Sequence, residues 1–189
     1  NRCLVGSEMC IRDRLYSGLI NGDTLTGTYS GVFNNANVGN GKTVIITSSY
    51  GGADLNNYTI TDQASTTGNI AAKALTATAS AANKVYDGTT TATTTLTFTG
   101  LVGSETLGQT VGSTFNNKNV GTGKAVTVNS ITLTDGTGLA TNYSISPGQT
   151  TTADVTAKAL TAIASATNKV YDSTTLANTT LTLSGLIGS

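Results

Sequence analysis

"KALTATASAANKVYDGTTTATTTLTFTGLVGS" at 73–104 returns 85 residues later as "KALTAIASATNKVYDSTTLANTTLTLSGLIGS" at 158–189. Self-similarity on this scale is read before any motif, because one unit then accounts for the whole chain. Within the stretch, Leu75, Ala77 and Ala79 alternate with Thr76, Thr78 and Ser80. Leu96 and Phe98 alternate in the same way with Thr95, Thr97 and Thr99. Period two is the pattern of a half-buried strand. The alanines alone favour a helix, but the interleaved threonines are strand formers and argue against it. Leu181 and Leu183 keep the phase in the second copy. A slip of one residue would turn every apolar side chain to water, so the repetition fixes the register.

The pattern extends outward from this stretch. "SGLINGDTL" at 17–25 parallels "TGLVGSETL" at 99–107, and "FNNANVGNGKTVII" at 33–46 parallels "FNNKNVGTGKAVTV" at 115–128, both at an offset of 82. "NNYTI" at 56–60 matches "TNYSI" at 141–145 at an offset of 85. Three residues are therefore inserted between these blocks, and a loop is the expected place. The chain reads as an incomplete repeat at 15–72 lacking its first strands, a complete repeat at 73–157, and the opening strands of a third at 158–189. This is the expected appearance of a window on a longer tandem array.

One unit contains six or seven short strands separated by turns. "GLVGSETL" is a bend with Leu101 and Val102 expected beneath it. Val111 and Phe115 mark a weaker strand, followed by the Gly/Asn-rich turn "NNKNVGTGK". Val126 and Val128 share a face, while Ile131 and Leu133 fall in the opposite phase, which predicts a β-bulge near Asn129–Ser130. Short strands follow at Tyr143–Ile145 and around Val155. The expectation is an all-β fold of tandem immunoglobulin-like β-sandwich modules of about 85 residues. The alternative is a β-grasp-like module with one helix crossing the sheet.

Charged residues make up only 11% of the chain, and after residue 14 the sequence carries seven Lys against eight Asp and Glu. A basic footprint for nucleic acid is missing. No apolar run approaches the ~20 residues that cross a bilayer as a helix. Histidine is absent, and all Arg, Cys and Met lie within the first 14 residues. The commonest general base, the commonest metal ligand and the thiol nucleophile are therefore missing from the repeats. The expectation is a non-enzymatic protein without a cofactor. Residues 3–14 are themselves unlike the rest. Back-translated, they resemble a transposase adapter used in sequencing libraries, read in an open frame, so 1–14 is expected to be non-native.

Each chemical motif has a bland counterpart. Tyr86-Asp87-Gly88 reads as a turn in which Asp caps backbone N–H groups and Tyr packs on the sheet. Asp23 and Glu105 occupy equivalent positions, but no alternating run of oxygen ligands surrounds them, as a calcium loop would require. Lys84 near Asp87 or Glu105 raises the question of an intramolecular isopeptide bond. "VGNGK" and "VGTGK" lack the spacing of a phosphate-binding loop. Asn57, Asn142 and Asn178 begin N-x-[ST] triplets.

The blocks "NKVYDGTT" and "NKVYDSTT" resemble the YDG-type repeat of very large bacterial surface proteins, the filamentous-haemagglutinin-like adhesins. Lys84, Val85, Tyr86, Asp87 and Gly88 carry the resemblance in the second repeat, and Lys169, Val170, Tyr171 and Asp172 in the third, where Ser173 replaces the glycine. Phe33 and Phe115 support it, as do Tyr58 and Tyr143. The resemblance implies a secreted or outer-surface protein whose repeats are structural spacers. The alternative is that each repeat itself binds host glycan or matrix. Neighbouring repeats are then the expected partners, with host glycans or matrix reached through other domains.

Overall fold

A computed structural model describes residues 18–20 and 22–188. Residues 1–14, read above as adapter-derived, lie outside the described residues. The chain divides after Ala72 into two compact units.

The first unit is a three-stranded antiparallel sheet of β1 (Thr26–Phe33), β2 (Gly39–Gly51) and β3 (Ser65–Ile70), with β2 in the centre. The second begins with nine strands. They are β4 (Lys73–Ala74), β5 (Thr76–Ala81), β6 (Lys84–Val85), β7 (Thr91–Ala92), β8 (Thr94–Thr99), β9 (Leu107–Phe115), β10 (Gly121–Asp135), β11 (Tyr143–Ser144) and β12 (Thr150–Thr156). It ends with the hairpin of β13 (Thr161–Ala166) and β14 (Thr179–Ser184). The only helical segments among the described residues are 3-10 turns at Leu55–Asn57 and Ala140–Asn142. The fold is all-β, and no helix crosses a sheet among the described residues.

The middle repeat has two layers. One is a five-stranded sheet in the order β6-β12-β10-β9-β7. The other is the antiparallel pair β5–β8, with β5 against β12 and β8 against β9, and the short parallel pair β4–β11 beside it. The layers are not independent. The strand that forms β5 continues two residues later as β6, which pairs parallel with β12. Likewise β7 pairs with β9 and leads through Thr93 into β8. One pair of strands therefore switches layers and pairs over two residues with each outer strand of the large sheet, at an end that an open sandwich would leave unpaired.

Burial follows the period-two reading. Leu75, Leu96, Phe115, Val126, Val128, Ala153 and Val155 are buried, with Val126 fully inaccessible. Thr76, Thr78, Thr95, Thr97 and Thr99 are exposed. One expectation fails: Leu101 is half-buried, but Val102 points outward. The Val102 N–H is held from inside the bend by a side chain described below, and this turns its own side chain to solvent.

The bulge lies where the phase break places it. Val128 pairs with Ser113 and Ser130 with Gly112, leaving Asn129 unpaired. The extra residue brings Ile131 and Leu133 back to the face of Val126 and Val128. In the first repeat Ile46 pairs with Gly31 and Thr47 with Ser30 without interruption. One of the three inserted residues is thus Asn129, within a strand, and only the other two lie in the turn at Gly136–Gly138. A second irregularity falls between Gly121 and Lys124, and between Gly39 and Lys42 in the first repeat. The expected turn "NNKNVGTGK" is divided: 116–120 turns between β9 and β10, while Gly121–Lys124 is this bulge within β10, with Gly123 at φ 57° and Gly41 at φ 62°. A left-handed backbone of this kind suits glycine.

Candidate functional site

The segment Asn83–Thr91 spans the end of the five-stranded sheet from one edge to the other. At the β12 edge, Asn83 Oδ1 accepts from the Asp154 N–H at 2.7 Å, and the Tyr86 N–H donates to the Thr156 carbonyl at 2.8 Å. At the β9 edge, the Thr90 carbonyl accepts from the Phe115 N–H at 2.7 Å. Lys84 holds the strap from below. Its Nζ lies 2.8 Å from Asp87 Oδ1, 2.9 Å from the Thr89 carbonyl, 3.1 Å from Thr89 Oγ1 and 3.0 Å from the Thr91 carbonyl. Three ammonium protons are thus shared among four acceptors. The same nitrogen sits 5.5 Å from the centre of the Phe115 ring, over a residue at the bottom of the core. Such a cation over an aromatic face is attractive.

Asp87 completes the lock. Its Oδ1 accepts from both the N–H and the hydroxyl of Thr89, each at 2.9 Å. This is the Asx turn that the Asp-Gly pair predicts. The Lys84 ammonium and then the two Thr89 donors hold the Asp87 carboxyl down from its ordinary 3.8 to about 2. Gly88 adopts φ 80°, and Tyr86 packs half-buried against the cluster of Ala92, Phe115, Val126, Ala153 and Val155. Val85 is exposed.

The third repeat rebuilds the local part of this lock and not the rest. Lys169 Nζ lies 2.7 Å from Asp172 Oδ1 and 2.9 Å from both oxygens of Thr174. Ser173 takes φ 58° in the place of Gly88. Lys169–Val170 and Leu176–Ala177, however, form no strands, although their counterparts are β6 and β7. Val170 and Tyr171 are almost fully exposed. The lock is local chemistry, whereas the two-residue strands exist only where a sheet edge receives them.

The tyrosines form a second repeated device. Tyr143 OH accepts from the Val102 N–H at 3.1 Å and donates to Glu105 Oε2. Tyr58 OH accepts from the Ile20 N–H at 2.9 Å and donates to Asp23 Oδ2 at 2.6 Å. Donation to the carboxylate, the largest effect in each case, raises both phenol pKa values. The two acids are therefore spent in pinning the bend "GLVGSE" or "GLINGD" to the tyrosine. Glu105 does not approach Lys84, which is ion-paired with Asp87. No group of three or more His, Cys, Asp or Glu side chains clusters among the described residues.

Phe33 and Phe115 occupy equivalent places with different surroundings. Phe115 is 3% exposed, whereas Phe33 is 37% exposed and leans over Gly68. Side chains outside the quoted motif complete the closure. Gln109 accepts from the Leu96 N–H at 3.1 Å and donates to its carbonyl at 2.7 Å. Ser113 Oγ donates to the Ala92 carbonyl at 2.9 Å and lies 2.6 Å from Thr94 Oγ1. Neither residue recurs in the first repeat, where Gly27 and Gly31 stand in their places, so repetition alone does not point to them.

Neither a curated protein nor a solved structure matches the chain. The model of the YDG domain matches residues 12–67 and again 71–153. The second match contains the strap with its Tyr86-Asp87-Gly88, and by these two matches the chain belongs to the YDG domain family.

Proposed function

We propose that the chain is a non-enzymatic spacer segment of a large secreted or surface-anchored bacterial adhesin of the filamentous-haemagglutinin-like kind. One observation carries the reading: the motif side chains are spent on contacts within their own repeat. Lys84, Asp87 and Thr89 bond one another, Phe115 fills the core with Tyr86 packed against it, and Tyr143 and Glu105 pin a bend. A motif used for recognition would leave such groups unpaired, whereas a motif used to close a module spends them on one another. Tandem copies of a closed, charge-poor module give length, and neighbouring repeats are then the partners. Residues 3–14 are read as adapter-derived and take no part in this role.

The test is a binding screen of the 189-residue chain on glycan arrays, extracellular-matrix proteins and epithelial cells. The spacer reading predicts no saturable binding. Saturable binding to a glycan or matrix component, lost on substitution of exposed Thr or Asn side chains, would replace it with a reading in which the repeat itself adheres. Resequencing the native locus from an amplicon without adapters tests the reading of residues 3–14, which should then disappear.

A further inference from the structure

The bend "GLIG" at 185–188 of the third repeat keeps the conformation of "GLVG" at 100–103 of the middle repeat. Gly185 and Gly188 take φ 97° and 77° where Gly100 and Gly103 take 105° and 56°. The shape of the bend is therefore set by its own residues. In the middle repeat it turns Val102 outward, and Ile187 is the equivalent residue. Ile187 meets the preceding repeat at one place. Its Cγ2 lies so close to Gly88 that a Cβ on that glycine would stand 3.0 Å from it. Gly88 is half-buried, although it stands at the tip of a turn. The same end of the middle repeat is apolar around this point. Val85 pairs with Thr156 and Gly121 with Val155, so Val85 and Val120 flank Thr156 where β12 runs out toward the third repeat. Both valines are exposed. The lock itself does not demand a glycine, because Lys169, Asp172 and Thr174 form it around Ser173. The contact with Ile187 supplies a separate reason for one.

We propose that the Tyr-Asp-Gly turn is the seat of a joint between successive repeats. The missing side chain of Gly88 makes room for the outward-turned aliphatic residue of the next repeat's bend. Modules joined by a short link swing against one another unless a contact holds them. This joint fixes their angle with a methyl group against bare backbone, the closest approach that glycine permits. The inference names the partner surface within the spacer reading and rests on that reading for its purpose. A Cβ at the seat pushes the incoming methyl away. Ser173 places such a Cβ at the corresponding turn, so glycine marks a seat that is open and serine one that is filled.

The experiment is heteronuclear NMR of the full chain. A nuclear Overhauser contact is expected between the Ile187 γ2 methyl and the Gly88 α protons. Residual dipolar couplings of β5, β8, β13 and β14 should fit one common orientation. Gly88→Ser should erase the contact and shrink the couplings of β13 and β14 relative to those of β5 and β8. Ile187→Ala should shrink them in the same way and leave the amide shifts of β9, β10 and β12 unchanged. That second variant decides the matter alone if Gly88→Ser unfolds the repeat. Absence of the contact in the unaltered chain overturns the proposal, as do β13 and β14 couplings that Ile187→Ala leaves unchanged. Either result leaves the spacer reading standing, as a string of freely turning repeats. Saturable glycan or matrix binding removes the spacer role and leaves the joint in place.

Discussion

Ser173 is the one non-glycine residue with positive φ among the described residues, and it stands where the preceding repeat has Gly88. The lock around it is intact, so the Lys–Asp–Thr bonds are strong enough to impose a left-handed backbone on a residue that resists it. A non-glycine side chain in that region costs on the order of 1 kcal/mol. Gly88→Ser should therefore lower the stability of the middle repeat by about that amount in urea unfolding. A Cβ at Gly88 would also stand 3.0 Å from Ile187 Cγ2, so the measured loss should not be smaller. The lock also predicts a pH dependence. Asp87 titrates lower in the folded repeat than in the unfolded chain. Its contribution is complete above the ordinary carboxylate pKa and is lost as pH falls from about 4 toward about 2. Asp87→Asn should flatten the urea midpoint against pH in that window and leave its slope elsewhere unchanged. The sequence made Asp87 and Gly88 legible, because Asp-Gly is local turn chemistry. It did not reveal the seat of Lys84, because the aromatic ring beneath that ammonium lies far along the chain and a lysine carries no periodic signal.

At the scale of elements, nearly the same hairpin appears twice with different consequences. Leu96→Ala removes a buried side chain and should cost about 3 kcal/mol in the middle repeat. Leu181→Ala, at the equivalent position in β14, should shift the stability of dilute protein by less than about 0.5 kcal/mol. Urea unfolding followed by circular dichroism measures both. The bulge gives a sharper contrast. Deleting Asn129 converts β9–β10 to the uninterrupted pairing already present in β1–β2, so the variant should fold. Deleting Thr127 instead lets the bulge absorb the loss but turns Val128 outward and places Asn129 on the core face, so the repeat should be strongly destabilised. Heteronuclear NMR spectra of the two variants distinguish these outcomes. Long strands were readable because their faces alternate, and the bulge was readable because Ile131 breaks phase with Val128. β6 and β7 were not, because Lys84–Val85 and Thr91–Ala92 become strands only when β12 and β9 offer an edge. The uncapped Lys169–Val170 shows the same sequence without the strand. One of the three inserted residues falls in a strand and not in the expected loop for a related reason, since an offset between blocks does not tell a strand from a loop.

At the scale of the whole molecule, a polar β-repeat closes on itself through one layer-switching pair of strands and a strap. Composition carried the class, because a chain poor in charge and apolar mass but rich in Thr, Gly and Asn is suited to exposed strands and bulges. The closure was invisible in composition, since it depends on which edge each short strand meets. Closure makes the middle repeat one cooperative body and leaves the β13–β14 hairpin outside it. Hydrogen exchange of the dilute full-length chain, followed residue by residue, tests this most directly. The account predicts that amides of β5, β8, β9, β10 and β12 exchange as a single slow group, while those of β13 and β14 exchange far faster. Independent, graded exchange among the strands of 73–157, or a hairpin as protected as they are, would contradict it.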